Sequence, residues 1–217
     1  MSFQEQKLVV RKFLDAFEAS EAENVEENLN PLVSDDYEFK GYEPYGGQEG
    51  VNFQQSCQNF WRPMLQAVGS LQRREDIFIA GLNRPMCLPK DSIQTAERSI
   101  WVMSMGHFMG LFDRGLFGLR PTGKIVSIRY TEFHCVEDGK VSKTGMFLDI
   151  IGLMESAGAY PLPPSTGQYF VYPGPKTHDG ILNQPQLGCE VQFSSIQDWL
   201  WIHPSNSQNL KVMQLSI

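Results

Sequence analysis

The chain has 217 residues, 41% of them hydrophobic and 20% charged, a composition that supports a packed core and excludes global disorder. Its 25 acidic residues outnumber 18 basic ones, for a net charge of −7 without a Lys/Arg run, which argues against the basic face of a nucleic-acid binder. No apolar run approaches the roughly 20 residues of a membrane span, and the N-terminus has no secretory h-region or cleavage site.

Residues Gln4 to Ala19 place Leu8, Val9, Phe13, Leu14 and Phe17 at a period near 3.6, with Arg11, Lys12, Asp15 and Glu18 on the other face. This predicts an amphipathic helix. A second short helix is expected over Asn24 to Leu32, stopping near Pro31, and a strand over Asp36 to Gly41. The turn GYEPYGG follows, then a helix over Gln48 to Val68 packing through Val51, Phe53, Phe60, Trp61, Leu65 and Val68 and kinked or divided at Pro63. Gln72 to Gly81, Thr95 to Met105, Lys124 to Cys135 and Val141 to Leu148 read as strands. Asp138-Gly139, a pair that tolerates positive φ, joins the last two as a hairpin. Asp149 stands at an N-cap position and Gly158 at the glycine position that ends a helix.

Helices first, then a run of antiparallel strands, then a closing helix predict an α+β domain over residues 1–160. Residues 161–217 are dense in Pro and Gly and read as an irregular C-terminal extension, in which Trp199 to Ile202 (WLWI) needs cover. The four cysteines (Cys57, Cys87, Cys135, Cys189) stand singly, which predicts reduced thiols and a cytoplasmic location. The four histidines make no ligand pattern with them, so no metal is expected. No nucleotide, flavin or phosphate motif is present, and no cofactor is expected.

Residues Gly118 to Gly158, GLRPTGKIVSIRYTEFHCVEDGKVSKTGMFLDIIGLMESAG, resemble the SnoaL-like polyketide cyclase family. That family belongs to the nuclear-transport-factor-2-like superfamily, with ketosteroid isomerase and scytalone dehydratase as relatives. The family pattern runs G-x-P-P-T-G-K, a strand with an internal acid, E-D-G-K-I, then H-W-D-x-x-D-x-x-G-L-L-x-Q-L-G. Pro121 to Lys124, Glu132, Asp138 to Lys140, Asp149, Gly152, Leu153 and Gly158 match it without a gap. The resemblance implies a cone-shaped α+β barrel, in which a curved antiparallel sheet wraps the N-terminal helices around an apolar pocket. It also implies an apolar small-molecule partner and a homodimer formed through the outer sheet face, where Arg129, Thr131 and Phe133 would lie. The segment FVYPGPKTHDGI resembles the connection between two such domains in tandem cyclase-like proteins, which implies a truncated or rearranged gene, or a lineage that lost the other half.

The family's cyclases close a ring by an intramolecular aldol step in which a desolvated carboxylate moves the proton. Its H-W-D falls here on Thr144-Gly145-Met146, so the expected acid is a methionine. Glu132 is then the leading base candidate. Alternation places Ile128, Tyr130, Glu132 and His134 on one strand face. If that face lines the pocket, Tyr130 or His134 supplies a hydrogen bond to an enolate; the plain alternative is a surface strand with Glu132 and His134 in water. Asp149 is the family's second aspartate, catalytic on one reading and a helix cap on the commoner one. His107 falls one residue from the family's histidine, where Phe108 stands instead, and should point outward or be partly packed. Trp61, Met105, Phe108, Tyr130, Thr144 and Met146 complete the expected pocket. Three functions remain open: a cyclase or isomerase relative, a non-catalytic binding protein, or a structural half of a tandem pair.

Overall fold

The computed structural model describes residues 3–47, 49–83, 99–160 and 163. The expected extension, 161–217, and its WLWI run lie outside the described residues except for residue 163, as does the beginning of the strand expected from Thr95.

The first helix, α1 (Gln4–Glu18), is amphipathic as its period requires, but its buried stripe is Lys7, Val10, Phe13, Leu14 and Phe17. Leu8, expected inside, is 52% exposed, and Lys7 is 5% exposed. Phe13, Leu14 and Phe17 fix the helix rotation; Val10 lies three and four residues back from Phe13 and Leu14, and Lys7 three back from Val10. A short helix α2 (Val25–Leu29) tightens into a 3-10 turn over Asn30–Leu32 before β1 (Val33–Lys40).

The helix expected from Gln48 begins later. Val51 instead exchanges backbone hydrogen bonds with Phe39, both at 2.8 Å. Asn52 then caps α3 (Phe53–Ser56) in a reciprocal box: its side chain accepts from the Gln55 backbone at 2.9 Å, and the Gln55 side chain accepts from the Asn52 backbone at 3.1 Å. The helix widens into a π-helical segment, Cys57–Trp61, and resumes as α4 (Arg62–Ala67) with Pro63 in its first turn. Proline divides the helix because it has no N–H to donate backwards.

Four long strands follow: β2 (Val68–Asn83), β3 (Ser99–Phe112), β4 (Lys124–Glu137) and β5 (Lys140–Leu148). They form an antiparallel meander, and β1 joins its far edge parallel to β5, giving the order β1-β5-β4-β3-β2. The parallel edge strand is a feature that the antiparallel expectation did not contain. Asp138 (φ 50°) and Gly139 (φ 74°) make the left-handed turn of the β4–β5 hairpin. The last helix among the described residues, α5 (Ile150–Ser156), is capped by Asp149 and ended by Gly158 at φ 68°.

The architecture is α+β, with a curved mixed sheet wrapped against the N-terminal helices. On β3, even-numbered residues face the helices: Phe108 meets Phe17 of α1 edge-on at 6.3 Å. On β4, Ile128, Tyr130, Glu132 and His134 turn the same way, and all four are buried. Trp61 sits at the centre of this core, against Phe13, Phe17, Phe39 and Phe60.

The β2–β3 pairing slips between Glu75 and Ile77, leaving Asp76 as the extra residue of a bulge. Gly106 stands opposite, and a Cβ built there would lie 2.0 Å from the Arg74 carbonyl oxygen. Only glycine fits that approach.

Candidate functional site

A connected polar cluster is buried at the centre of the cone. Arg73 reaches inward from β2 with a side chain only 3% exposed. Its Nη2 donates to Ser104 Oγ and to the Tyr130 hydroxyl, both at 3.0 Å, and pairs tightly with Glu132 Oε1. Its Nη1 has no hydrogen-bond partner. The guanidinium carbon lies 4.7 Å from the centre of the Tyr130 ring and 5.5 Å from that of Phe108. A planar guanidinium suits a place where hydrogen bonding and aromatic contact coincide.

Ser104 passes the network on, donating to Glu75 Oε1 at 2.7 Å, while Glu75 Oε2 takes an ion pair from Arg11 of α1. On the other side, Glu132 Oε2 lies 3.4 Å from His134 Nε2. His134 Nδ1 shares a hydrogen with Thr144 Oγ at 3.0 Å, and its ring packs on Phe13 at 5.5 Å. Met146, 1% exposed, is the direct cross-strand partner of Glu132.

These contacts set the charge states. Burial alone would raise the Glu132 carboxyl, but the Arg73 guanidinium and His134 outweigh it and lower the group to about 2. Burial works against the charge on Arg73, and Glu132 and Tyr130 restore it and raise its pKa further. Burial pushes the Tyr130 hydroxyl up to about 12, with Arg73 opposing. At neutral pH the cluster therefore holds a carboxylate, a guanidinium and a neutral phenol. The first is a weak proton acceptor; the other two are donors suited to a ligand oxygen.

No family model matches the sequence, and no curated protein matches it. Solved structures do. AclR from Streptomyces galilaeus, described as a candidate hydroxylase, superposes with a TM-score of 0.55 at 17% identity, covering 75% of this chain and 87% of that one. A candidate SnoaL-like polyketide cyclase from Jannaschia sp. CCS1 gives 0.51 at 16% identity, covering 76% of this chain and 96% of its own. IdmH from Streptomyces antibioticus, a candidate polyketide cyclase, gives 0.50 at 14% identity over 69% and 96%.

The chain has the SnoaL-like fold.

Within the SnoaL-like cone, Tyr130, Glu132, His134, Thr144, Met146 and Phe108 come together, with Trp61 in the adjoining aromatic core. Two expected site residues stand apart. Met105 pairs with Thr131 and, by strand alternation, lies on the sheet face opposite Ser104 and Glu132. Asp149 is exposed and accepts the Gly152 N–H at 2.8 Å, the geometry of a helix cap. His107 lies on the face opposite Phe108, 9% exposed, with its Nδ1 3.1 Å from Asp76 Oδ2 at the bulge.

Arg73 was not legible as a site residue. It sits in LQRRED, where four consecutive charged residues in a strand ordinarily mark a solvent-facing edge. The usable signal is that Arg73 and Glu75 share strand parity, so they reach one face together, and Glu132 is an inward acid in need of a cation.

Proposed function

We propose that this protein is a small-molecule protein of the polyketide cyclase type, which takes an apolar carbonyl compound into its cone and binds it without the family's aldol chemistry. The observation that carries this reading is the pair formed by Glu132 and Met146. At the position where the resemblance calls for a proton-transferring aspartate stands a thioether, and the neighbouring carboxylate is committed to Arg73. Arg73 Nη1 supplies a donor for a carbonyl oxygen, and Phe108, Trp61 and Met146 supply apolar contact.

Solvent-deuterium exchange next to the carbonyl of an apolar ketone, run beside a binding titration, tests it. Saturable binding without exchange is expected. Exchange that is abolished in Glu132→Gln would establish Glu132 as a base and return the protein to the cyclase or isomerase class. Met146→Asp is expected to install an acid whose pKa is raised by burial and by Glu132, and to recover exchange at the cost of stability.

The molecule is further proposed to be a homodimer through the outer sheet face. Ile79, Leu111, Ile125 and Phe147 are 41–75% exposed there, apolar side chains that a partner copy would cover. A cytoplasmic location fits Cys57 and Cys135, both free thiols. Among the described residues, no helix is long and apolar enough to cross a membrane.

A further inference from the structure

The buried face of α1 carries one residue that the core does not explain. Lys7 is 5% exposed, yet among the described residues no carboxylate oxygen comes within ion-pair distance of its Nζ. Its ammonium lies 5.4 Å from the centre of the Phe78 ring on β2, and the Arg11 guanidinium lies 4.3 Å from the same ring. A ring face attracts a cation but does not neutralise it. Arg11 holds Glu75 in a close ion pair, whereas Glu75 acts on Lys7 only from beyond that distance.

Both cations open into a cleft of about 440 Å³ between α1 and β2, lined by Gln4, Lys7, Leu8, Arg11, Asp15 and Phe78. The lining is mixed in a specific way. Phe78 and the half-exposed Leu8 offer apolar contact, Lys7 and Arg11 gather positive charge at one place, and Asp15 sets a negative charge on the wall.

We propose that this cleft binds a small amphipathic monocarboxylate, with its carboxylate on Lys7 and its apolar body against Phe78 and Leu8. Three features select that class. An anion supplies the close ion pair that Glu75, held by Arg11, does not give the amine of a mostly buried lysine. The apolar lining has no use for a bare ion. Asp15 repels a second negative charge, which disfavours dianions such as phosphate. Burial, and then the neighbouring Arg11, lower the Lys7 pKa against the pull of Glu75, and a bound carboxylate acts in the same sense as Glu75. The site lies between α1 and β2 and meets the Arg73–Glu132 cluster only through the Arg11–Glu75 pair; it needs nothing bound in the cone.

The test is a calorimetric titration of the full chain with octanoate, with octanol and inorganic phosphate as controls. Octanoate is expected to saturate one site, with octanol and phosphate each at least tenfold weaker. Lys7→Met should weaken octanoate at least tenfold, and Asp15→Asn, an exposed change, should tighten it severalfold. Failure of octanoate to saturate overturns the proposal. So does octanol or phosphate binding as well as octanoate, or octanoate binding that Lys7→Met leaves intact, which would place the ligand elsewhere. Should Lys7→Met fail to fold, Asp15→Asn decides: unchanged affinity overturns the site.

Discussion

Removing the Glu132 carboxylate would leave the Arg73 guanidinium buried without its counter-charge, and breaking such a pair by deleting one partner costs about 3–5 kcal/mol. Glu132→Gln is therefore expected to lower stability in urea unfolding by that order, even though glutamine fills the same volume. The same residue sets an acid limit. Its carboxyl titrates near 2 in the folded protein, against an ordinary value of 4.5. A depressed folded pKa means that the native state holds its proton more weakly than the unfolded chain does. The stability it contributes is thus complete above about 4.5 and is lost as pH falls from there towards 2. Melting temperatures followed through this window should drop more steeply for the native protein than for Glu132→Gln. Parallel curves would show that the pair does not govern acid sensitivity. Alternation put Glu132 and His134 on one strand face but left open whether that face was buried, and only the resemblance pointed it, with Met146, inward. Arg73 was not legible, because strand parity tells which charges share a face without telling which face is buried.

At the level of elements, local chemistry was readable wherever one residue type answers one backbone demand. Asp138-Gly139, Asp149 and Gly158 all do what their positions implied. The β2–β3 bulge was not readable, since Asp76 looks like any strand residue and the glycine that accommodates it lies thirty positions on, in another strand. The start of the third helix was misplaced for a related reason: Val51 satisfies its backbone through Phe39, a partner outside the window that a helical period examines. The bulge makes a sharp prediction. Gly106→Ala would drive a methyl group to 2.0 Å from the Arg74 carbonyl oxygen, a backbone atom that cannot swing aside. A loss of about 3 kcal/mol is expected in denaturant unfolding, at the upper end of ordinary single substitutions. Gly145→Ala, where no atom stands within 4 Å of the added carbon, serves as the control and should cost far less.

For the whole molecule, the order of elements announced the α+β class, but the pairing of the first strand with the last had no local signature. The outer sheet face gives the prediction at this scale. Ile125, 75% exposed and paired with Leu111, is the most exposed large apolar side chain among the described residues. Ile125→Lys should shift the mass measured by light scattering at micromolar concentration from dimer to monomer while leaving the circular dichroism unchanged. A native protein already monomeric at that concentration would refute the dimer.

The parallel seam between β1 and β5 has a kinetic consequence. The meander from β2 to β5 can assemble through neighbouring hairpins, but Tyr45, just beyond β1, bonds the Met146 carbonyl 101 residues away. Closing so long a loop is entropically slow, and chains rich in such contacts fold in milliseconds to seconds rather than microseconds. During synthesis β1 emerges early and must wait for β5. Until then Tyr37 and Phe39 have no sheet to lie against, and the unclosed cone is the species most exposed to aggregation.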